Sequence, residues 1–451
     1  MASDTLKSRS EMVLSVLTGY FGLDPEKDLI HFEVIFPGFI KGDYERVKLE
    51  YENNLKTHPR RKEVSRNLYV SDECIVHVQY CAPLSVVSEI KVESRCYFPV
   101  CTIDEIKRIE NVSNGEDYLL KIRADAIADS PRFSRVFMKR RERVGDQWTL
   151  SSHFQKSDFD RYLDRLPSGR SEICREVSAG FAFMAEPNGV CIKTEVGKVV
   201  VVSEALRHFL FYMNLFLFGS GFGLSGEVVG HSLVIALKTM LQTEPLDFDL
   251  DPRSELLPVR VKSYCLRVVQ DQIDFVIGHE YSHVLLNHFG EKAELRDAVE
   301  ILGVRALSEQ KYYSPREEQE FEADAASIIN PSYSDDECAR ILNGAAIFFL
   351  QLDFFYAVAN YINPPTSGAR THPDPLDRMW KLRGEVDSLR PIKSDILYSE
   401  SDLNDWVEYV DRHKRHFLEE YLPFNVEVLE QYGSTYIPSY RKKHRHDRFD
   451  Y

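Results

Sequence analysis

Apolar residues recur along this chain with two different periods. From about residue 204 nearly to the end the repeat is helical. Over 264–289, Leu266, Val269, Ile273, Val276 and Ile277 recur at three- and four-residue steps, and Gly290 is a natural stop. Upstream, "ECIVHVQYCAPLSVVSEIKVESRCYF" alternates as strands do, and "KVVVVS" reads as a further strand. Asn188-Gly189 marks a hairpin turn between two apolar stretches. "LPSGRSE" (166–172) has the composition of a linker. The expected class is α+β. Its parts are an N-terminal α+β region over 1–175, a mostly helical domain with a small sheet over 176–390, and a helical extension with a basic tail over 391–451. The N-terminal region is expected to serve recognition or regulation.

Two apolar runs bear on membranes. "FLFYMNLFLFG" (209–219) is too short to span. "NGAAIFFLQLDFFYAVANYIN" (343–363) is long enough but carries Gln351 and Asp353 near its middle, and an aspartate there costs about 3 kcal/mol on insertion. A helix buried in a soluble domain is expected, without integral membrane association.

Composition narrows the classes further. Hydrophobic residues make up 43% and aromatics 12% of the 451 residues, ample for a packed core. The net charge of −15 argues against a nucleic-acid binder, since phosphate attraction needs a basic surface. The basic "RKKHRHDRFDY" end then reads as solvated. Eight cysteines are scattered without a C-x-x-C pair and are expected to be reduced core thiols. The N-terminal segment has no secretory pattern, so a cytoplasmic location is expected.

Against this background, "VIGHEYSHVLLNHFG" (276–290) places three histidines and a glutamate in an apolar helical run. His279 and His283 are four apart and share a face, so both can ligate one zinc ion. Glu280 is angularly offset and suits a general base acting on the attacking water. His288, by continued helical rotation, points away from that face. It reads as a histidine at a helix C-terminus with no metal role. In "SPREEQEFEADAASII", Ser314, Pro315 and Glu317 have the order of an N-cap, a first-turn proline and a capping-box glutamate, so a helix is expected to start there. On it Glu320 can complete a His2Glu zinc set. Asp324, one turn on, can accept the free N–H of a ligating histidine. "THPDPLDR" adds His372 and Arg378, side-chain types that can stabilise an oxyanion.

"HEYSH", "EFEAD" and "THPDPLDR" together resemble the gluzincin metallopeptidases of the HtpX and CAAX-prenyl-protease type, over roughly residues 200–390. Compact soluble gluzincins such as the bacterial phage-exclusion peptidase Lit are similar in plan. The resemblance implies a zincin-type catalytic domain and a Zn2+ cofactor. Its implied ligands are His279, His283 and Glu320, with Glu280 as general base and Asp324 orienting a ligand histidine. His372 would assist at the oxyanion, and Arg378 would pair with acidic groups near the site. The family's well-known members are membrane enzymes, whereas this chain has no clear span.

The expected function is a zinc endopeptidase acting on a protein or peptide, with "GKVVVVSE" as the sheet edge that takes extended substrate. A non-catalytic interaction protein with a structural zinc, or a zinc hydrolase of another substrate, would carry the same motifs.

Overall fold

The computed structural model describes residues 17–18, 22–35, 66–71, 74–183, 189–250, 253, 257–288, 294–297, 311–314, 317–364 and 373–437. They are mostly helical, with small sheets. The chain divides into two compact units. One uses described residues of Met1–Asn111 and Ser130–Leu150, the other those of Val112–Asp129 and Ser151–Lys443. Residues 112–129 and 151–175, assigned to the N-terminal region on sequence, belong to the second unit.

The first unit holds a three-stranded antiparallel sheet with Cys74–Pro83 between Asp28–Ile35 and Arg66–Ser71. Alternation after Pro83 gives way to short 3-10 turns at Leu84–Val87 and Val92–Tyr97. The helix Ile103–Glu110 starts in a capping box. The Thr102 hydroxyl accepts from the Glu105 N–H, and the Glu105 carboxylate accepts from Thr102 and from the Leu150 N–H.

The second unit contains a sheet in which Gly197–Ser203 is the central strand. It runs parallel to Ser178–Ala182 and antiparallel to Gly189–Thr194. This corrects two expectations. "GKVVVVSE" is not an edge, because a strand pairs with it on each side; Val199, Val200, Val201 and Val202 are all buried, as suits a strand covered on both faces. Nor do the stretches flanking Asn188-Gly189 form a hairpin: both pair with the central strand. The tight turn lies at residues 195–196 and leads into Gly197, at φ 122°; Asn188 is outside the described residues. On one sheet face Tyr118, Leu119 and Ile122 of the helix Gly115–Ala128 pack on Ala182, Ile192, Val199 and Val201. The motif helix, Val259–Leu285, packs against the two antiparallel strands.

Around the motif helix stand Glu204–Phe218, Glu317–Ile329 and Asp335–Ile362. Pro375–Leu389 packs on the last two. "LPSGRSE" is not a linker: Ser168–Arg175 is a helix that opens after Pro167 and anchors on the buried Cys174. The apolar run at 343–363 lies in Asp335–Ile362. That helix is long and apolar enough to cross a membrane, but 78% of its most apolar window is buried in the protein. Its polar residues are partnered. Gln351 lies in a buried amide network, and Asp353 accepts from Lys414. Among the described cysteines, 81, 96, 101, 174, 191, 265 and 338 are free thiols.

Candidate metal centre

The motif helix reaches the sheet and its neighbours through residues of specific size. Gly278 sits where a Cβ would lie 2.8 Å from Tyr162 and 3.1 Å from the Ser327 side chain. The Glu317–Ile329 helix therefore approaches closely one residue before His279. Tyr162 stacks on Tyr281 at 5.8 Å, and Phe275 meets Phe348 and Phe349 edge-on at 6.0 and 5.5 Å. These contacts fix the rotation of the helix, and with it the direction of its histidines.

His279, His283 and Glu320 converge on one point and are buried. The two Nε2 atoms are 3.0 Å apart. Glu320 Oε2 lies 3.6 Å from His279 Nε2, and Oε1 3.5 Å from His283 Nε2. Donors bound at ~2.0–2.1 Å to a tetrahedral ion sit about 3.3–3.4 Å from one another. The three separations bracket that value, so this donor set fits a metal ion. Glu280, beside them on the motif helix, is also buried. It packs against the start of the edge strand Gly189–Thr194, where a Cβ on Gly189 would lie 2.6 Å from Glu280 Cγ and Oε1.

A charged support stands behind the donors. His279 Nδ1–H donates to Asp324 Oδ1 at 2.8 Å. This leaves the Nε2 lone pair facing Glu320 and His283. Arg378 donates twice to Asp324, from Nε at 2.8 Å and Nη2 at 2.7 Å, and lies 3.5 Å from Glu320. Its guanidinium rests over the Phe349 ring at 4.9 Å. Burial would raise the Asp324 pKa, but Arg378 and His279 outweigh it and hold the carboxyl below its usual value. Burial likewise opposes a charge on His279, and Asp324 and Glu320 reverse the balance, so that its pKa is raised. His283 has burial and the neighbouring His279 both against its charged form, and its pKa falls well below the ordinary histidine value.

The residues singled out on sequence are thus placed as follows. His279, His283 and Glu320 come together, with Asp324 and Arg378 hydrogen-bonded to each other behind them and Glu280 alongside. His372 lies outside the described residues. The glutamate helix is described from Glu317, and Ser314 is the last residue of the short strand Lys311–Ser314; Pro315, and with it the expected capping turn, lies outside the described residues.

His288 is not where helical rotation puts it. The helix ends at Leu285 and Asn287 takes a left-handed φ of 52°. The chain turns back, and His288 Nδ1 comes within 2.8 Å of His283 Nδ1. The missed signal is Asn287 itself, one of the few residues besides glycine that accepts that conformation. The sequence marks Gly189 only as a turn residue, and its contact with Glu280 has no local signature.

No family model, curated protein or solved structure matches this chain.

Proposed function

We propose that the chain is a zinc-dependent endopeptidase of the gluzincin type, hydrolysing protein or peptide substrate with Glu280 as general base. The observation that carries this reading is the convergence of His279, His283 and Glu320 at tetrahedral spacing beside a second buried glutamate. A zinc ion held by the three would polarise a peptide carbonyl and acidify a water. Glu280 takes the proton of the attacking water and passes it to the leaving amine. Asp324 keeps the proton of His279 on Nδ1, so that Nε2 is the donor. Arg378 holds Asp324 and offsets the negative charge of the glutamate cluster. His372 remains the candidate oxyanion partner.

Extended substrate is assigned to Gly189–Thr194 in place of the central strand. It is an edge strand of its sheet and begins against Glu280, and strand addition binds main chain with little demand on sequence.

The test compares wild type with Glu280→Gln, measuring zinc content and the cleavage products each generates in a host lysate. Equal zinc and loss of cleavage in the variant are expected. Cleavage surviving in the variant sinks the mechanism, and a well-folded wild type without zinc removes the metal site. Glu320→Ala should lose most of the zinc; unchanged occupancy would mean that the third ligand is misassigned.

A further inference from the structure

The end of the motif helix carries a feature that the metalloprotease reading does not use. The His288 N–H bonds to the His283 carbonyl at 3.1 Å, and the Asn287 N–H to the Val284 carbonyl at 3.2 Å. With Asn287 left-handed, these are the two bonds of a Schellman termination, in which the second residue past the cap packs on the residue five before it. In most helices that contact is apolar. Here both positions are histidine, and their Nδ1 atoms meet at 2.8 Å, buried.

The proton order along this contact follows from its ends. His283 presents Nε2 to His279 and Glu320, so its proton belongs on Nδ1. His288 Nδ1 must then accept, which puts the His288 proton on Nε2. That nitrogen lies 3.3 Å from Glu322 Oε2, on the helix that also carries Glu320. The two ligand histidines are thus held differently: His279 by an anionic aspartate, His283 by a neutral imidazole that has an exposed glutamate near its far side.

We propose that His288 is a positioning residue of the metal centre. Its Nδ1 accepts the Nδ1–H of His283 and so fixes the ring and tautomer of that ligand, with the exposed Glu322 carboxylate 3.3 Å from His288 Nε2. The proposal rests on the metal reading above and adds to it a residue five positions beyond the motif.

The test measures zinc affinity of the full-length protein by competition with a chromophoric chelator, together with thermal unfolding of the metal-stripped form. His288→Leu fills the space without an acceptor. His288→Asn restores an acceptor where Nδ1 stood, and His288→Gln carries its amide further out. Orienting partners of ligand histidines are worth roughly 10–100-fold in affinity. Leu and Gln variants should lose about that much, Asn should stay within about threefold of wild type, and Glu322→Gln should show a smaller loss. Stripped proteins should unfold alike. Wild-type affinity in His288→Leu overturns the proposal, as do equal losses in the Asn and Gln variants. If the leucine protein does not fold, the Asn–Gln pair makes the same discrimination. Wild type that binds no zinc overturns the underlying metal reading as well, whereas loss in Glu320→Ala with none in His288→Leu overturns only the positioning role.

Discussion

Gly189 and Glu280 approach so closely that no side chain fits between them. In Gly189→Ala the methyl group would have to displace the strand or the Glu280 carboxylate. The three nearest atoms to that methyl group all belong to Glu280 and none to His279, His283 or Glu320. Catalytic groups displaced by ~1 Å can cost about 10²-fold in rate. Gly189→Ala should therefore cut peptide turnover by about that factor at unchanged zinc stoichiometry; full activity would place the working position of Glu280 elsewhere. Asp271, two turns before His279, makes a prediction about pH. Burial outweighs Arg340 at 3.7 Å and pushes its carboxyl up from 3.8 to about 6. A folded-state pKa above the unfolded one favours the protonated fold, so the stability linked to this group is present below about 4 and is lost as pH rises through about 6. Asp271→Asn should leave Tm near wild type at pH 4 and raise it at pH 7.5, by up to about 3 kcal/mol of stability. A difference that does not vary with pH would contradict the shift. At this scale much of the site is legible in the sequence, because a four-residue spacing on a helix fixes which side chains share a face. His279 and His283 needed no more than that. His288 escaped because one left-handed residue, Asn287, ends the rotation on which the extrapolation depends.

Between elements, a closed ring of amides holds three helices together. Asn214 donates to Gln272 at 2.9 Å, Gln272 to Gln351 at 3.0 Å, and Gln351 back to Asn214 at 2.8 Å. All three side chains are fully buried. Gln272 lies two turns before His279, so the ring helps fix the motif helix against Glu204–Phe218 and Asp335–Ile362. Gln351→Leu would strand a donor on Gln272's side and an acceptor on Asn214's. At about 1–3 kcal/mol for each buried unsatisfied group, the variant should lose roughly 2–6 kcal/mol in denaturant unfolding. Replacing all three residues by apolar ones should recover part of that loss, since no group is then left unpaired. If the triple variant equals the sum of the single ones, the residues do not act as a ring. The sequence shows Gln351 only as a polar interruption in an apolar run; its partners stand 79 and 137 positions away. The sheet was hidden for the same reason. The strand pattern of "KVVVVS" is local, but its central place depends on a parallel pairing with Ser178–Ala182 that no turn signal announces.

For the whole molecule, the division into units is the least legible feature. Among the described residues each unit takes two separate pieces of the chain, and residues 112–129 leave the first to join the second before 130–150 return to it. Composition changes too little along these stretches to mark the crossings. What the division does specify is where metal should act. His279, His283, Glu320, Asp324 and Arg378 all lie in the second unit. An ion that binds the fold and not the unfolded chain stabilises by about 4 kcal/mol at a thousandfold excess over its Kd. For a unit of this size that corresponds to roughly 5–10 °C in Tm. Scanning calorimetry of zinc-loaded protein should therefore show a chelator-dependent fall of that order in the transition that carries the second unit. The control is Glu320→Ala. With its third donor gone, it should already melt near the chelated wild type and respond little to chelator. A chelator shift of wild-type size in Glu320→Ala would mean that the stabilising ion is held by other residues, and the convergence of two helices on one buried point would then have to be explained by packing and hydrogen bonding alone.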